Sequence, residues 1–245
     1  MLTVNNISKK INNKQILKNI TFNVKKGEIL GLLGPNGAGK TTTLKTIIGN
    51  LKPEIGYIEF EGNKINDSII YYKKNIAFVP DSLNIYENLT GKEYISFIAE
   101  LWDIPSNIYK KEMEYLSKKF FLNEKLDDFI RTYSKGMKQK TILIGALIHN
   151  PKLLILDEPF NGLDPISIKI IKEYFAEYTK KGNSIIFSSH ILDVVEKICT
   201  NYLIINQGTS IAKGSVSNLK EIAKSNSQDL ETIFYELIHN LKEVK

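Results

Sequence analysis

Arginine is almost absent from this chain. Of 33 basic residues, Arg131 is the only one that is not a lysine. The planar guanidinium fork is the preferred reader of bases and phosphates. A net charge of +6 spread over lysines therefore points to a solvated surface, and no nucleic-acid partner is expected. Cysteine is scarce as well. Cys199 stands alone, which excludes an internal disulfide framework and suits a reducing compartment. No run approaches the roughly 18 apolar residues of a membrane-spanning helix. The opening MLTVNNISKK has no apolar stretch of signal-peptide length, so a cytoplasmic location is expected. Repeats and low-complexity linkers are missing too. What remains is 245 residues, 42% hydrophobic and 24% charged, enough for one core domain carrying a subdomain.

Local patterns give an α/β chain. The first 30 residues alternate short apolar runs (LTVNNI, ITFNV) with turn signals, as an antiparallel strand set does. EILGLLG at 28–34 is a compact apolar strand, and 39–51 reads as a helix stopped by Pro53. YIEFEG at 57–62 alternates like a strand, and IAFV at 76–79 is a buried one. From about 85 to 149 the pattern is helical. Thr90 and Glu93 form a capping box, a second helix covers 107–120, and a third opens at Ser134 and runs to His149. KLLILDE at 152–158 and SIIFSS at 184–189 are continuous apolar strands of the buried parallel type. Between them, Asp164-Pro165 is an N-cap followed by proline at the first helical position. YLIINQG and TSIAKG make a hairpin at 202–214. In the tail, Leu230, Ile233, Phe234, Leu237, Ile238 and Leu241 form a helical stripe, which packs more often on its own domain than on a partner. Parallel strands interleaved with helices define the α/β class, with the helical block of 85–149 inserted.

Gly34-Pro35-Asn36-Gly37-Ala38-Gly39-Lys40-Thr41 fits G-x-x-x-x-G-K-[ST], the phosphate-binding P-loop, between a predicted strand and a predicted helix. Glycines let the backbone wrap N–H groups around phosphates, and the helix starting near Gly39 aims its positive end at them. Lys40 is the residue that reaches the β- and γ-phosphates, and the Thr41 hydroxyl is an Mg²⁺ ligand. Asp157 and Glu158 end a buried strand at its carboxyl side, where α/β folds bind ligands. Asp157 is placed to hold Mg²⁺ through its water shell, and Glu158 to polarise an attacking water.

Together with three downstream motifs, these residues resemble the nucleotide-binding subunit of an ABC (ATP-binding cassette) transporter over essentially the whole chain. TYSKGMKQK is similar to the family's signature loop, FNGLDP to the loop after the catalytic acid, and IIFSSH to the switch strand. The resemblance implies a P-loop NTPase (RecA-like) core with an antiparallel β subdomain and an inserted α-helical subdomain. It implies an ATPase domain over 1–214 and a C-terminal helical extension over 215–245. ATP and Mg²⁺ are the implied cofactors. Asn36, Gly37, Ala38 and Thr42 join the nucleotide contacts, and Ile11 takes the position of the residue that stacks on adenine. Ser134, Lys135, Gly136 and Met137 form the signature that meets ATP held by a second subunit. Asp164 belongs to the D-loop, His190 contacts the γ-phosphate and the attacking water, and Asp81 stands where a glutamine usually meets the metal. A homodimer or heterodimer of such subunits, peripheral on the inner face of the cell membrane, drives a separate membrane permease.

The chain departs from the family at three of these positions: Ile11 has no π face, Asp81 cannot donate a hydrogen bond, and Met137 replaces a glutamine. Lys135, Lys138 and Lys140 crowd the start of a helix, where the dipole favours acids by about 0.3–1 kcal/mol each. A phosphate contributed by the second subunit would make Lys135 a counter-charge. Tyr86 and Trp102 are available either for core packing or for docking a permease helix. The form of the signature and the ending DLETIFYELI resemble exporters of the bacitracin-resistance and antimicrobial-peptide type. The rival reading is a non-transport cassette ATPase of DNA repair or translation, which usually carries a long coiled-coil insertion or two cassettes.

Overall fold

A computed structural model describes the backbone of residues 1–243 and the side chains through His239, so the expected stripe position Leu241 lies outside the described side chains. The chain opens with β1 (Leu2–Ile11), β2 (Lys14–Val24) and β3 (Ile29–Leu33), then α1 (Lys40–Ile47), β4 (Ile55–Phe60), β5 (Asn63–Lys64), α2 (Ile69–Lys74) and β6 (Ile76–Val79). The helical block holds α3 (Gly91–Leu101), α4 (Ser106–Lys119) and α5 (Lys135–Leu147). There follow β7 (Leu153–Asp157), α6 (Pro165–Lys180), β8 (Ser184–Ser188), α7 (Leu192–Glu196), β9 (Asn201–Asn206), β10 (Thr209–Gly214), α8 (Val216–Ala223) and α9 (Leu230–Glu243).

Two sheets divide the strands. One has the order β2-β1-β4-β5 and is antiparallel, and the other has the order β10-β9-β3-β8-β7-β6. In the second sheet β9, β3, β8, β7 and β6 run parallel, and β10 closes the edge antiparallel to β9. Every residue of β3, β7 and β8 is buried, because a parallel strand covered on both faces has no solvent side. This register is what builds the site. Asp157 pairs with Ser188, and β6, β3 and β8 end at the same edge just before Asp81, the P-loop and His190.

The core has two parts. Leu2, Val4, Ile20 and Phe22 of the antiparallel sheet pack with Leu30, Leu32, Leu44, Ile155 and Ile186, so α1 lies between the two sheets. On the other face, Leu154, Leu156 and Phe187 meet the inserted helices through Ile95, Leu116 and Ile144 and meet α6 through Phe175. Phe175 and Phe187 are fully buried, and truncating either to alanine would cost about 3–5 kcal/mol. Leu230, Ile233 and Leu237 of α9 are buried in the same cluster, with Phe234 and Ile238 packed against it. The tail stripe therefore faces its own domain.

The caps form as the sequence indicates. Thr90 and Glu93 exchange both capping-box bonds, at 3.1 and 2.8 Å, and Asp164 accepts from Ser167 N at 2.9 Å and Ser167 Oγ at 2.7 Å. Two short helices, α2 and α7, carry no such signal and come as additions. The helix expected over 39–51 stops at Ile47, and Gly49 turns the chain at φ +78. Trp102 stacks on His149 with ring centroids 4.3 Å apart, whereas Tyr86 is 61% exposed and meets only the edge of Phe97 among the described rings.

Candidate nucleotide site

The chain leaves β3 through Gly34, where an added Cβ would stand 2.2 Å from the carbonyl oxygen of Ile205. No other residue fits there without moving β9. Gly39 then enters α1 at φ +108, in the left-handed region that glycine tolerates. The first turn of α1 has neither a side-chain cap nor an acidic residue. Its N–H groups are thus left for an anion. Lys40 is 8% exposed, and its ammonium donates to Gly34 O at 2.7 Å and Pro35 O at 3.4 Å. Burial lowers its pKa, against the opposing pull of Glu158 and Asp157.

A cavity of about 740 Å³ opens above this loop. Asn36, Gly37, Ala38, Gly39, Lys40, Thr41 and Thr42 form its floor, with Asp81, Asp157, Glu158 and His190 around it. Gly34 and Pro35 take part through the carbonyls that hold Lys40. Residues from four strand ends, far apart in sequence, meet in this one space. Asp157 is buried and accepts from the Ser188 hydroxyl, which leaves its second oxygen for another partner. Glu158 adopts φ +51, uncommon for a residue with a side chain. Its N–H donates to Ser188 O at 3.1 Å and Ser188 Oγ at 3.2 Å. Its carboxylate Oε2 lies 2.8 Å from His190 Nδ1.

The donor set suits a hard cation. Among the described residues no three His, Cys, Asp or Glu cluster to hold a metal alone. Mg²⁺ keeps several waters and takes only one or two protein oxygens plus phosphate, and Thr41 and Asp157, which line the same cavity, offer that set. Asp81 Oδ1 accepts from Asn161 Nδ2 at 3.0 Å.

The cavity also holds residues that the sequence did not single out: Lys14, Ile16, Lys45, Ser82 and Asn161. Ile11, expected beside the base, does not line it. Ile11 closes β1 opposite Lys14 and is 38% exposed, and the wall is instead made by Lys14 and Ile16 of β2. Register shifts along β1 and β2 set which residues face inward, and alternation in the sequence gives no sign of them. The signal that could have found Asn161 is its position in the FNGLDP loop directly after Glu158.

Ser134, Lys135, Gly136 and Met137 do not line this cavity. Ser134 caps α5 by accepting from Met137 N at 3.2 Å. Gly136 packs on the D-loop, where an added Cβ would meet Gly162 O at 3.2 Å, and the aliphatic stem of Lys135 lies across Gly162. Met137 lines a separate hollow with Lys125, Asp127, Asp128, Phe129 and Thr132. Two of the three crowded lysines, Lys138 and Lys140, lie near acids of their own chain. Lys138 pairs with Glu87, and burial lowers the pKa of Lys140 against the pull of Asp164.

Residues 17–161 match the family described as ABC transporter. The ATP-binding protein EcsA of Bacillus subtilis is 34% identical over 97% of this chain and 96% of its own length. The linearmycin resistance ATP-binding protein LnrL of the same organism is 38% identical over 89% of this chain and 70% of its own. A solved ATP-binding subunit of an ABC transporter superposes with a TM-score of 0.91 at 34% identity, covering 97% of this chain and 99% of the other. The chain belongs to the ABC transporter family as an ATP-binding subunit, with the P-loop NTPase core of that family. Such subunits hydrolyse ATP to power transport, and they dimerise and work with membrane permease partners. Among the described residues no helix is long and apolar enough to cross a membrane.

Proposed function

We propose that this chain is the ATPase of an exporter of antimicrobial peptides or drugs, held on the cytoplasmic face of the membrane by its permease. The contact that carries the catalytic part is the 2.8 Å approach of Glu158 Oε2 to His190 Nδ1 at the P-loop cavity. A carboxylate oxygen only accepts, so Nδ1 carries the hydrogen and Nε2 is left for a second partner. Glu158 takes a proton from water as that water attacks the γ-phosphorus, and the bond from the γ-phosphorus to the bridging oxygen of ADP breaks. His190 orients the carboxylate and the water. Lys40 leaves the carbonyls of Gly34 and Pro35 for the β- and γ-phosphates. Thr41 and Asp157 would hold Mg²⁺, which would supply charge neutralisation at the phosphates when bound. Ser134 and Gly136 meet the γ-phosphate held by a second subunit, with Asp164 in the loop between the two sites. The ATPase domain spans 1–214 with the helices of 85–149 inserted, the 81–130 region passes its motion to the permease, and 215–245 forms the C-terminal extension.

Glu158→Gln keeps the shape of the side chain and removes its basicity. It should cut ATP hydrolysis by about 10²–10⁴-fold while equilibrium ATP binding is retained; a rate within twofold of wild type rules out Glu158 as the base. The export reading is supported by the resistance name of LnrL and by the form of the signature. A strain lacking this chain should become more sensitive to membrane-active antimicrobials, and unchanged sensitivity across a panel of them would contradict export of this class.

A further inference from the structure

Asp81, Asp157 and Glu158 border the nucleotide cavity, and each is met by a group from another segment. The Ser188 hydroxyl donates to Asp157, and His190 Nδ1 approaches Glu158 Oε2 at 2.8 Å. For Asp81 the donor is the Asn161 amide, whose Nδ2 stands 3.0 Å from Oδ1. A carboxylate only accepts, so the amide turns its NH₂ group to Asp81. The two ends of this bond are unlike. Asp81 is exposed and follows Pro80 beyond the end of β6 at Val79, outside the sheet ladder. Asn161 sits on a tied turn. Its N–H donates to Glu158 O at 3.3 Å, and Leu163 N donates to Phe160 O at 3.2 Å. The Phe160 ring is buried against Phe175 and Phe187. Asn161 is therefore the anchored partner, and Asp81 the one that is held.

We infer that Asn161 is a positioning residue, which keeps the Asp81 carboxylate at the cavity for the divalent cation that accompanies the nucleotide. The inference rests on the cavity being the nucleotide site. With Oδ1 engaged by Asn161, Oδ2 is the oxygen available to the cation or to its water. Fixing an exposed side chain beforehand removes rotamer entropy that cation binding would otherwise cost. An amide suits the place, because it adds a donor among three carboxylates without adding charge. A fourth carboxylate would repel Asp81, and an ammonium would compete with the cation for it. Through its own N–H, Asn161 also ties Asp81 to the backbone of Glu158.

The test is calorimetric binding of ATP to the full chain with Mg²⁺ and with EDTA, read as the ratio of the two affinities. Asn161→Ala should lower that ratio by about three- to tenfold. A merely structural defect shifts both affinities together and leaves the ratio unmoved. Because Asn161 acts through Asp81, Asn161→Ala should change the ratio by less than about twofold once Asp81 is already alanine. An Asn161→Ala effect of equal size in both backgrounds would overturn the inference. So would a ratio within about twofold of wild type for Asn161→Ala or for Asp81→Ala alone. Each of those results leaves the nucleotide site standing. A wild-type chain that binds no ATP under either condition would overturn the site itself, and the inference with it.

Discussion

Around Lys40 the functional groups already hold partners within one chain: its ammonium on Gly34 and Pro35, Asp157 on Ser188, and Glu158 on His190. Around Ser134 the chain provides a cap and a packed backbone, yet none of the signature residues reaches the cavity. The first region is a preorganised pocket, built from strand ends that the parallel register fixes. The second touches no part of that pocket, and the proposed function gives it the nucleotide of a second subunit as its target. One chain is thus equipped to bind nucleotide, and on the proposed function the signature becomes useful only when a second copy or a related subunit presents its own P-loop.

Removing a group from the preorganised half should have the largest effect. Lys40→Ala loses charge-assisted hydrogen bonds worth about 1.5–3 kcal/mol each. ATP affinity measured by calorimetry should therefore fall by roughly 10- to 100-fold, and wild-type affinity would show that this half does not hold the phosphates. A smaller effect separates two neighbours on the antiparallel sheet. Ile16→Ala should weaken nucleotide binding by roughly three- to tenfold through lost apolar contact, whereas Ile11→Ala should change it by less than about twofold. The reverse order would restore Ile11 to the base. The smallest effect lies on the signature side. The Lys138 and Glu87 pair has one partner 53% exposed, so Lys138→Ala should cost no more than about 0.2–1 kcal/mol in urea unfolding. A larger loss would mean that the ion pair anchors α5.

Much of this was legible in the sequence, because local rules govern it. The P-loop, the buried strands β3, β7 and β8, the Thr90 capping box and the Asp164-Pro165 start are each written within a few residues. What escaped depends on contacts across the chain. The Ser188 hydroxyl on Asp157, the Asn161 amide on Asp81 and the Glu87 carboxylate on Lys138 join residues 31, 80 and 51 positions apart. Nothing in the local pattern of either partner announces them. Lys138 and Lys140 at the start of α5 looked misplaced for the same reason: Glu87 and Asp164, the acids near them, come from other segments. The inward face of β2 was hidden by register shifts. α2 begins with two isoleucines and ends within six residues, too short for its period to show.

Sedimentation of Glu158→Gln with saturating ATP tests most directly whether the two unlike halves complete each other between subunits. That variant should sediment as a dimer with ATP and as a monomer without it. Adding Gly136→Asp to the same chain should abolish the dimer while ATP binding persists, because the new side chain crowds Gly162 and Leu163 and adds a negative charge to the loop proposed to meet the other copy's γ-phosphate. Dimers that survive Gly136→Asp undiminished would contradict a signature that acts on the second subunit's nucleotide.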